Sequence, residues 1–425
     1  YSPYGIAETK TSYGFHDSII DFNKKLKEHL LDINSVYVFD FFKFIIKHGE
    51  NNVFNFQNYL FGDIKISLDY IPHLADEFIP YIISFLGLTK KCIVVDLDNT
   101  LWGGIVGEDG FDGIRLGPQP PGNAFIEFQK YLKALSQRGI LLAINSKNNF
   151  DDAIQVIRKH PFMILKENDF SCIKINWNDK ASNMLEISKE LNIGLESFVF
   201  FDDDPVNREL IKKTMPEITT PDLPHDPSLY SEVIQSLHDF STFQITSEDT
   251  SRGQMYLEEK QRTVSKIFSS NISEFLKTLN LEIEIKETNS FTIPRISQLT
   301  LKTNQFNLTT QRYQEDQIQK FSEDTDVLIN CVQIKDKFGD NGITGVFIVK
   351  KTNSDEWFLD TFLLSCRVMG REAEKAMLYF IINQAKKNNV KRIKAKFIPT
   401  LKNKPIADFL PNSHFYQEND FWIYN

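Results

Sequence analysis

Apolar positions recur at helical spacing in residues 19–33 and 74–86, so the first part of the chain is predicted to be mostly helical. Between them, residues 35–46 read as a short strand running into a helix. From Lys91 the pattern changes to short uninterrupted apolar runs. Cys92–Val95, residues 140–144 and Phe198–Phe201 are such runs, and segments of helical spacing at 124–136 and Lys180–Leu191 separate them. Continuous apolar strands with helical crossovers are the pattern of a parallel sheet buried on both faces. Each run ends in a polar group, at Asp96, at Ser146 and at Asp202 with Asp203. Open α/β sheets place their ligands at that carboxyl edge. The proline-rich stretch TTPDLPHDP (219–227) is expected to be an irregular exit from this domain.

A charged helical connection is expected over 247–270. Beyond it the order is strand (281–286), helix (296–302), strands (326–334, 345–350, 357–365), long helix (371–387) and strand (390–397). That order predicts a small α+β domain. The resulting division is 1–88, a helical region; 89–246, the parallel-sheet domain; 247–270, the connection; and 271–425, the α+β domain. DYIPH (69–73) reads as a surface turn, and the start at Tyr1 instead of Met leads us to expect a longer polypeptide with an upstream domain.

With 425 residues and 41% apolar content, the chain exceeds what one core holds. The net charge of -9 argues against a sequence-independent grip on nucleic acid. No apolar run approaches the roughly 18 residues of a membrane span, and no signal peptide is visible, so a cytoplasmic protein is expected. Cys92, Cys172, Cys331 and Cys366 are scattered without a CxxC pair, which gives neither a zinc site nor a disulfide framework.

The strand-end residues define a chemistry. DLDNTLWGG (96–104) places two carboxylates two residues apart just after a buried strand. Asp96 can attack phosphorus, while Asp98 can protonate the departing oxygen and then deprotonate water. Carboxylates beside a phosphate dianion require a cation, and Mg2+, which favours hard oxygen ligands, is expected among Asp96, Asp98, Asp202 and Asp203. Ser146 can donate to the phosphate and Lys180 can neutralise it, with Asn99, Thr100 and Lys147 completing the expected phosphate-binding set.

These pieces, DLDNT, the Ser of NSKN, the Lys of WNDKASN and FFDDDP, resemble the haloacid dehalogenase superfamily. The longer words VVDLDNTLWGGIVGEDG, GIRLGP, INWNDKASN, FFDDDPVNRE, LKTNQFNLTTQRY, KFGDNGITG and FLLSCRVMGRE resemble one narrower group, the FkbH-like glyceryl transferase/phosphatases, from about residue 90 onward. Asn145 and Asp204 stand where that group more often has Cys and Asn. The resemblance implies an α/β fold: a Rossmann-like haloacid dehalogenase domain followed by a GNAT-like acyltransferase domain. It also implies 1,3-bisphosphoglycerate as substrate and the phosphopantetheine thiol of an acyl carrier protein as acceptor. A plain phosphatase of small phosphate esters, or an acyltransferase to a sugar amine, are the alternatives.

In the second domain, Cys366 follows an apolar strand, beside Arg367 and just ahead of a helix expected to begin near Arg371. Arginines and a helix N-terminus favour a thiolate, which makes Cys366 the candidate acyl acceptor. Arg367, Gly370 and Arg371, with Asn304 and Gln305, are the expected acyl- or pantetheine-binding residues. Asn307 is the next polar candidate. Glu372 departs from the RxxGxG turn that holds pyrophosphate in GNAT proteins, which disfavours free coenzyme A. The other three cysteines read as core residues.

Overall fold

A computed structural model describes residues 4–11, 14–31, 33, 36–267 and 272–425. The chain forms two compact units, one of residues up to Ile79 with Gln314–Lys320, the other of Pro80–Tyr313 with Phe321–Asn425. The first unit is helical, with helices at Phe15–Leu30, Phe41–His48, Phe56–Gly62 and Ile71–Asp76. Residues 36–40 form no strand; the aromatic pair Phe39 and Phe78 stacks there instead, at 4.7 Å between ring centroids. Position 35, where the expected strand began, lies outside the described residues. The rings of Tyr70 and His73 from the DYIPH segment pack against His48.

The second unit holds two sheets. The first consists of β1 (Cys92–Val95), β2 (Leu141–Ser146), β3 (Phe170–Ile175) and β4 (Phe198–Phe201), all parallel in the order β3-β2-β1-β4. Every residue of β1, β2 and β4 is buried. Successive side chains serve opposite cores, Ile93 and Val95 one face, Cys92 and Val94 the other, which is why these runs do not alternate in polarity. Helices Gly122–Gln137, Phe150–Lys159, Lys180–Leu191 and Pro205–Thr214 follow the strands in turn. The edge strand β3 escaped the reading because its FSCIKI mixes polar and apolar residues at a half-covered edge.

The second sheet contains β5 (Glu282–Glu287), β6 (Phe306–Asn307), β7 (Val327–Asp336), β8 (Gly339–Lys351), β9 (Glu356–Leu364), β10 (Arg392–Ala395), β11 (Tyr416–Glu418) and β12 (Phe421–Tyr424). Its order is β11-β12-β10-β9-β8-β7-β5, antiparallel except for β9 with β10. Helix Ile293–Lys302 precedes β7, and helix Ala373–Lys387 makes the β9–β10 crossover. The parallel pair splays: β10 pairs only with the first half of β9, and β6 pairs with Leu363 and Leu364 at the far end. The connection between the domains is helical at Ser247–Thr250 and Arg252–Ile267; the rest of the expected 247–270 helix lies outside the described residues. Among the described residues, no helix is long and apolar enough to cross a membrane.

Candidate active site

Asp96 follows β1 directly, and Asp202 with Asp203 follows the adjacent β4. Neighbouring parallel strands thus deliver all three carboxylates to one edge, where an oxygen from each lies within 4.8 Å of the others. Asp202 and Lys180 are almost fully buried, and Asp96 is nearly so. The Lys180 ammonium stands 2.7 Å from Asp96 Oδ1 and 3.1 Å from Asp202 Oδ2, and it donates to the Asn145 carbonyl at 2.6 Å. Burial alone would lower the Lys180 ammonium, but Asp96 and Asp202 outweigh it and hold it above its ordinary value.

One ammonium does not balance three carboxylates. Burial and then the Asp96 charge raise Asp202, and burial with Asp96 and Asp202 pushes Asp203 up to about 7. Raised, converging carboxylates with oxygens left for a hard cation fit Mg2+. Asp98 stands apart from this group. Its Oδ1 accepts from Trp102 Nε1 at 2.9 Å and Val106 N at 3.1 Å, and its Oδ2 from Asn148 Nδ2 at 2.8 Å. Burial raises its pKa although those three donors oppose the shift. Of the four carboxylates expected at the metal, three cluster together and Asp98 is held separately by these donors.

The surrounding residues shape the loops. Asn99 takes a left-handed conformation, φ 52°, and its Oδ1 accepts from Gly104 N at 2.8 Å, folding the turn that carries Asp98. The fully buried Thr100 receives the Asp203 N–H on its Oγ1, so it ties the two acidic loops together instead of facing a ligand. Ser146 ends β2 beside Asn148, and Lys147 is exposed. The unusual Asn145 serves the lysine: its Nδ2 donates to the Lys180 carbonyl, and its Oδ1 accepts from Asn183. The extra carboxylate of Asp204 caps helix Pro205–Thr214 through Val206 N. Arg208 donates to the carbonyls of Asp202 and Asp203 and so fixes the acidic loop. Asn148, Trp102 and Arg208 were not singled out from the sequence, although all three sit inside the quoted words.

A cavity of about 280 Å³ opens beside Asp203, lined among others by Asn99, Arg115, His225 and Tyr230. Pro224, His225 and Pro227 line it as well, so the stretch expected to be an irregular domain exit contributes to this cavity.

The second candidate site lies elsewhere. A chamber of about 90 Å³ between the two sheets is lined by Cys366, Asn304 and Gln305 together with Lys91, Arg295, Lys302 and Arg367. Cys366 is half-buried and its carbonyl accepts from Asn192 Nδ2 at 2.9 Å, whereas Cys92, Cys172 and Cys331 are buried. Arg371 is not at this chamber's wall: it is buried in ion pairs with Glu259 and Asp336. Gly370 is exposed, and the long helix starts only at Ala373 after Glu372 in a left-handed conformation. Of the groups expected to favour a thiolate, only Arg367 lines the chamber with Cys366. Asn307 is fully buried and pins its own loop by donating to Thr303 O and accepting from Thr310 N.

Lys91 immediately precedes β1 and Asp96 immediately follows it. At 3.3 Å per residue, the strand separates the two sites by roughly 16 Å.

No protein-family model matches the chain, and no curated protein does. Among solved structures it is similar to the N-terminal part of a Bacteroides fragilis protein containing a phosphatase domain, complexed with Mg, at 36% identity and TM-score 0.53 over 56% of this chain. The chain spans 64% of that structure's length. Lesser likenesses are to the ribosomal-protein-S18-alanine N-acetyltransferase of Escherichia coli (12% identity, TM-score 0.27, 33% of this chain and 91% of that one) and a Thermoplasma acidophilum N-acetyltransferase in complex with coenzyme A (12%, 0.27, 33% and 96%). The chain is thus similar over about half its length to a structure that contains a phosphatase domain, and its second sheet with the helices packed beside it is an α+β layer.

Proposed function

We propose that the chain is an Mg2+-dependent, aspartate-nucleophile phosphatase joined to an acyltransferase, and that it transfers a glyceryl group from 1,3-bisphosphoglycerate to the phosphopantetheine thiol of an acyl carrier protein in the cytoplasm. The observation that carries the phosphatase reading is the convergence of Asp96, Asp202 and Asp203 around Lys180 at the carboxyl edge of a parallel sheet. A divalent cation held there supplies charge neutralisation for the incoming phosphate.

Asp96 attacks phosphorus, and the ester P–O bond breaks as Asp98 gives its proton to the departing oxygen. Water then attacks the aspartyl phosphate, Asp98 takes its proton, and phosphate leaves with Asp96 restored. A carboxyl kept above its ordinary pKa, as Asp98 is, suits the first of those transfers. Ser146 and Lys180 orient the phosphoryl oxygens, and Arg115 and His225 in the neighbouring cavity face the rest of the ester.

In the second half-reaction the Cys366 thiolate attacks the acyl-phosphate carbonyl. The C–O bond to phosphate breaks and phosphate departs with the electron pair; the carrier thiol then attacks the resulting thioester, the C–S bond to Cys366 breaks, and the acyl group passes to the carrier with Cys366 restored. The FkbH-like words and the half-buried position of Cys366 support this half. Intact-mass analysis after incubation with 1,3-bisphosphoglycerate tests it. A glyceryl adduct present in the native chain and absent in Cys366→Ala is the expected result, and no adduct in either leaves a phosphatase alone.

A further inference from the structure

Four cations around Cys366 make no direct ion pair, although the carboxylate of Glu196 also lines the chamber. Lys91, Arg295, Lys302 and Arg367 all line the chamber, and none forms an ion pair with a carboxylate among the described residues. Lys91 donates to the Lys302 carbonyl at 3.3 Å, Arg295 to the Ile343 carbonyl at 3.2 Å and to Gln298, and Arg367 to Ser365 Oγ at 3.5 Å and to the Met255 sulfur. These are neutral partners. Among the described residues the Lys302 ammonium has no hydrogen-bond or ion-pair partner. Of the nearby acids, Glu196 pairs with Lys402 at 2.8 Å and Asp249 pairs with Arg252, while Glu248 acts on Arg295 and Arg367 without an ion pair to either. Burial and the neighbouring Arg252 push Lys302 down to about 7, and burial lowers Lys91 as well. Arg295 is buried and Lys91, Lys302 and Arg367 are half-buried beside it, so these like charges repel one another, and an anion supplying charge-assisted hydrogen bonds offsets that cost.

The shape restricts that anion. At about 90 Å³ the chamber is well below the roughly 300 Å³ at which drug-sized ligand sites begin. The splayed β9–β10 edge, where an extended arm would add by backbone hydrogen bonds, is filled by the chain itself. Leu308 N donates to Phe362 O at 3.1 Å, and Leu308 O accepts from Ile398 N at 2.9 Å. Phe306 and Asn307 continue the pairing on β9.

We propose that Lys91, Arg295, Lys302 and Arg367 form a binding site for a single phosphate group beside Cys366, built jointly by both domains, and that it excludes coenzyme A. Its natural occupant is the phosphate of a small acyl phosphate, a statement that rests on the acyl-acceptor reading of Cys366; the binding of phosphate itself does not.

The experiment follows alkylation of Cys366 by iodoacetamide with peptide mass spectrometry on the full chain, in EDTA, with inorganic phosphate as the probe. EDTA keeps the carboxylate site from holding the phosphate. Millimolar phosphate is expected to slow alkylation in the native chain, and coenzyme A at the same concentration is not. Lys302→Met is expected to raise the phosphate concentration needed by about tenfold or more, the cost of one charge-assisted hydrogen bond. Lys91→Met repeats the test from the other domain should Lys302→Met fold poorly. Alkylation that phosphate does not slow, protection unchanged in both variants, or protection by coenzyme A as strong as that by phosphate overturns the proposal. Protection without a glyceryl adduct from 1,3-bisphosphoglycerate leaves the phosphate site standing and removes the acyltransferase reading.

Discussion

The two ends of the parallel sheet carry opposite electrostatic problems. At the carboxyl end, three carboxylates converge and the one ammonium of Lys180 pairs with two of them, Asp96 and Asp202, so the excess charge is negative. At the amino end, Lys91, Arg295, Lys302 and Arg367 share a chamber whose lining carboxylate, Glu196, pairs with Lys402 outside that set, and the excess is positive. On the proposed reading one end takes a metal cation and the other an anion, with β1 between them. Electrostatic preorganisation of this kind costs stability in the empty protein, and each cost is a handle for experiment.

The largest effect is expected at Asp98. Asp98→Asn keeps the shape of the carboxyl but has no proton to move, and phosphate release should fall about 10²- to 10⁴-fold under steady-state assay. A loss confined to substrate affinity would contradict the proton-transfer role.

Lys180→Met probes the balance directly. Lys180 is 1% exposed, so removing it leaves Asp96 and Asp202 facing one another unpaired, and the metal-free protein should lose about 3–5 kcal/mol in denaturant unfolding. Mg2+ should restore part of that loss, because it takes over the missing positive charge. Equal loss with and without Mg2+ would break the contrast between the two ends.

The smallest effect is a pH dependence. Asp203 is held at about 7 in the folded protein, well above its unfolded value, so the folded state retains a proton that the unfolded chain releases. Stability of the metal-free protein therefore falls as pH rises through that interval toward 7. Mg2+ must displace this proton, so its affinity should weaken as pH falls below 7, which calorimetry at pH 6 and pH 8 measures. A pH-independent affinity would place the metal away from Asp203.

Much of the carboxylate site was legible because its parts are local. Asp96, Ser146 and the Asp202–Asp203 pair each close an uninterrupted apolar strand, and a parallel sheet brings such positions to one edge. Asp98 was legible as an acid, but its separation from the metal group depends on donors from Trp102, Val106 and Asn148 that only the folded loop assembles. The chamber around Cys366 was legible only in part. Arg367 adjoins the cysteine in sequence, whereas Lys91, Arg295 and Lys302 come from a strand start and a helix whose meeting is a tertiary event. Arg371 shows the opposite error: it is close in sequence, yet Asp336 and Glu259 draw it into a buried ion-pair network.

The central claim is that Asp96 accepts a phosphoryl group while Asp202 and Asp203 hold the metal. Phosphate release from 1,3-bisphosphoglycerate, measured with Mg2+ and with EDTA in the native chain and in Asp96→Asn, tests it most directly. Release that requires Mg2+ and disappears in Asp96→Asn is the predicted result. Release that survives EDTA, or that Asp96→Asn leaves intact, would contradict it.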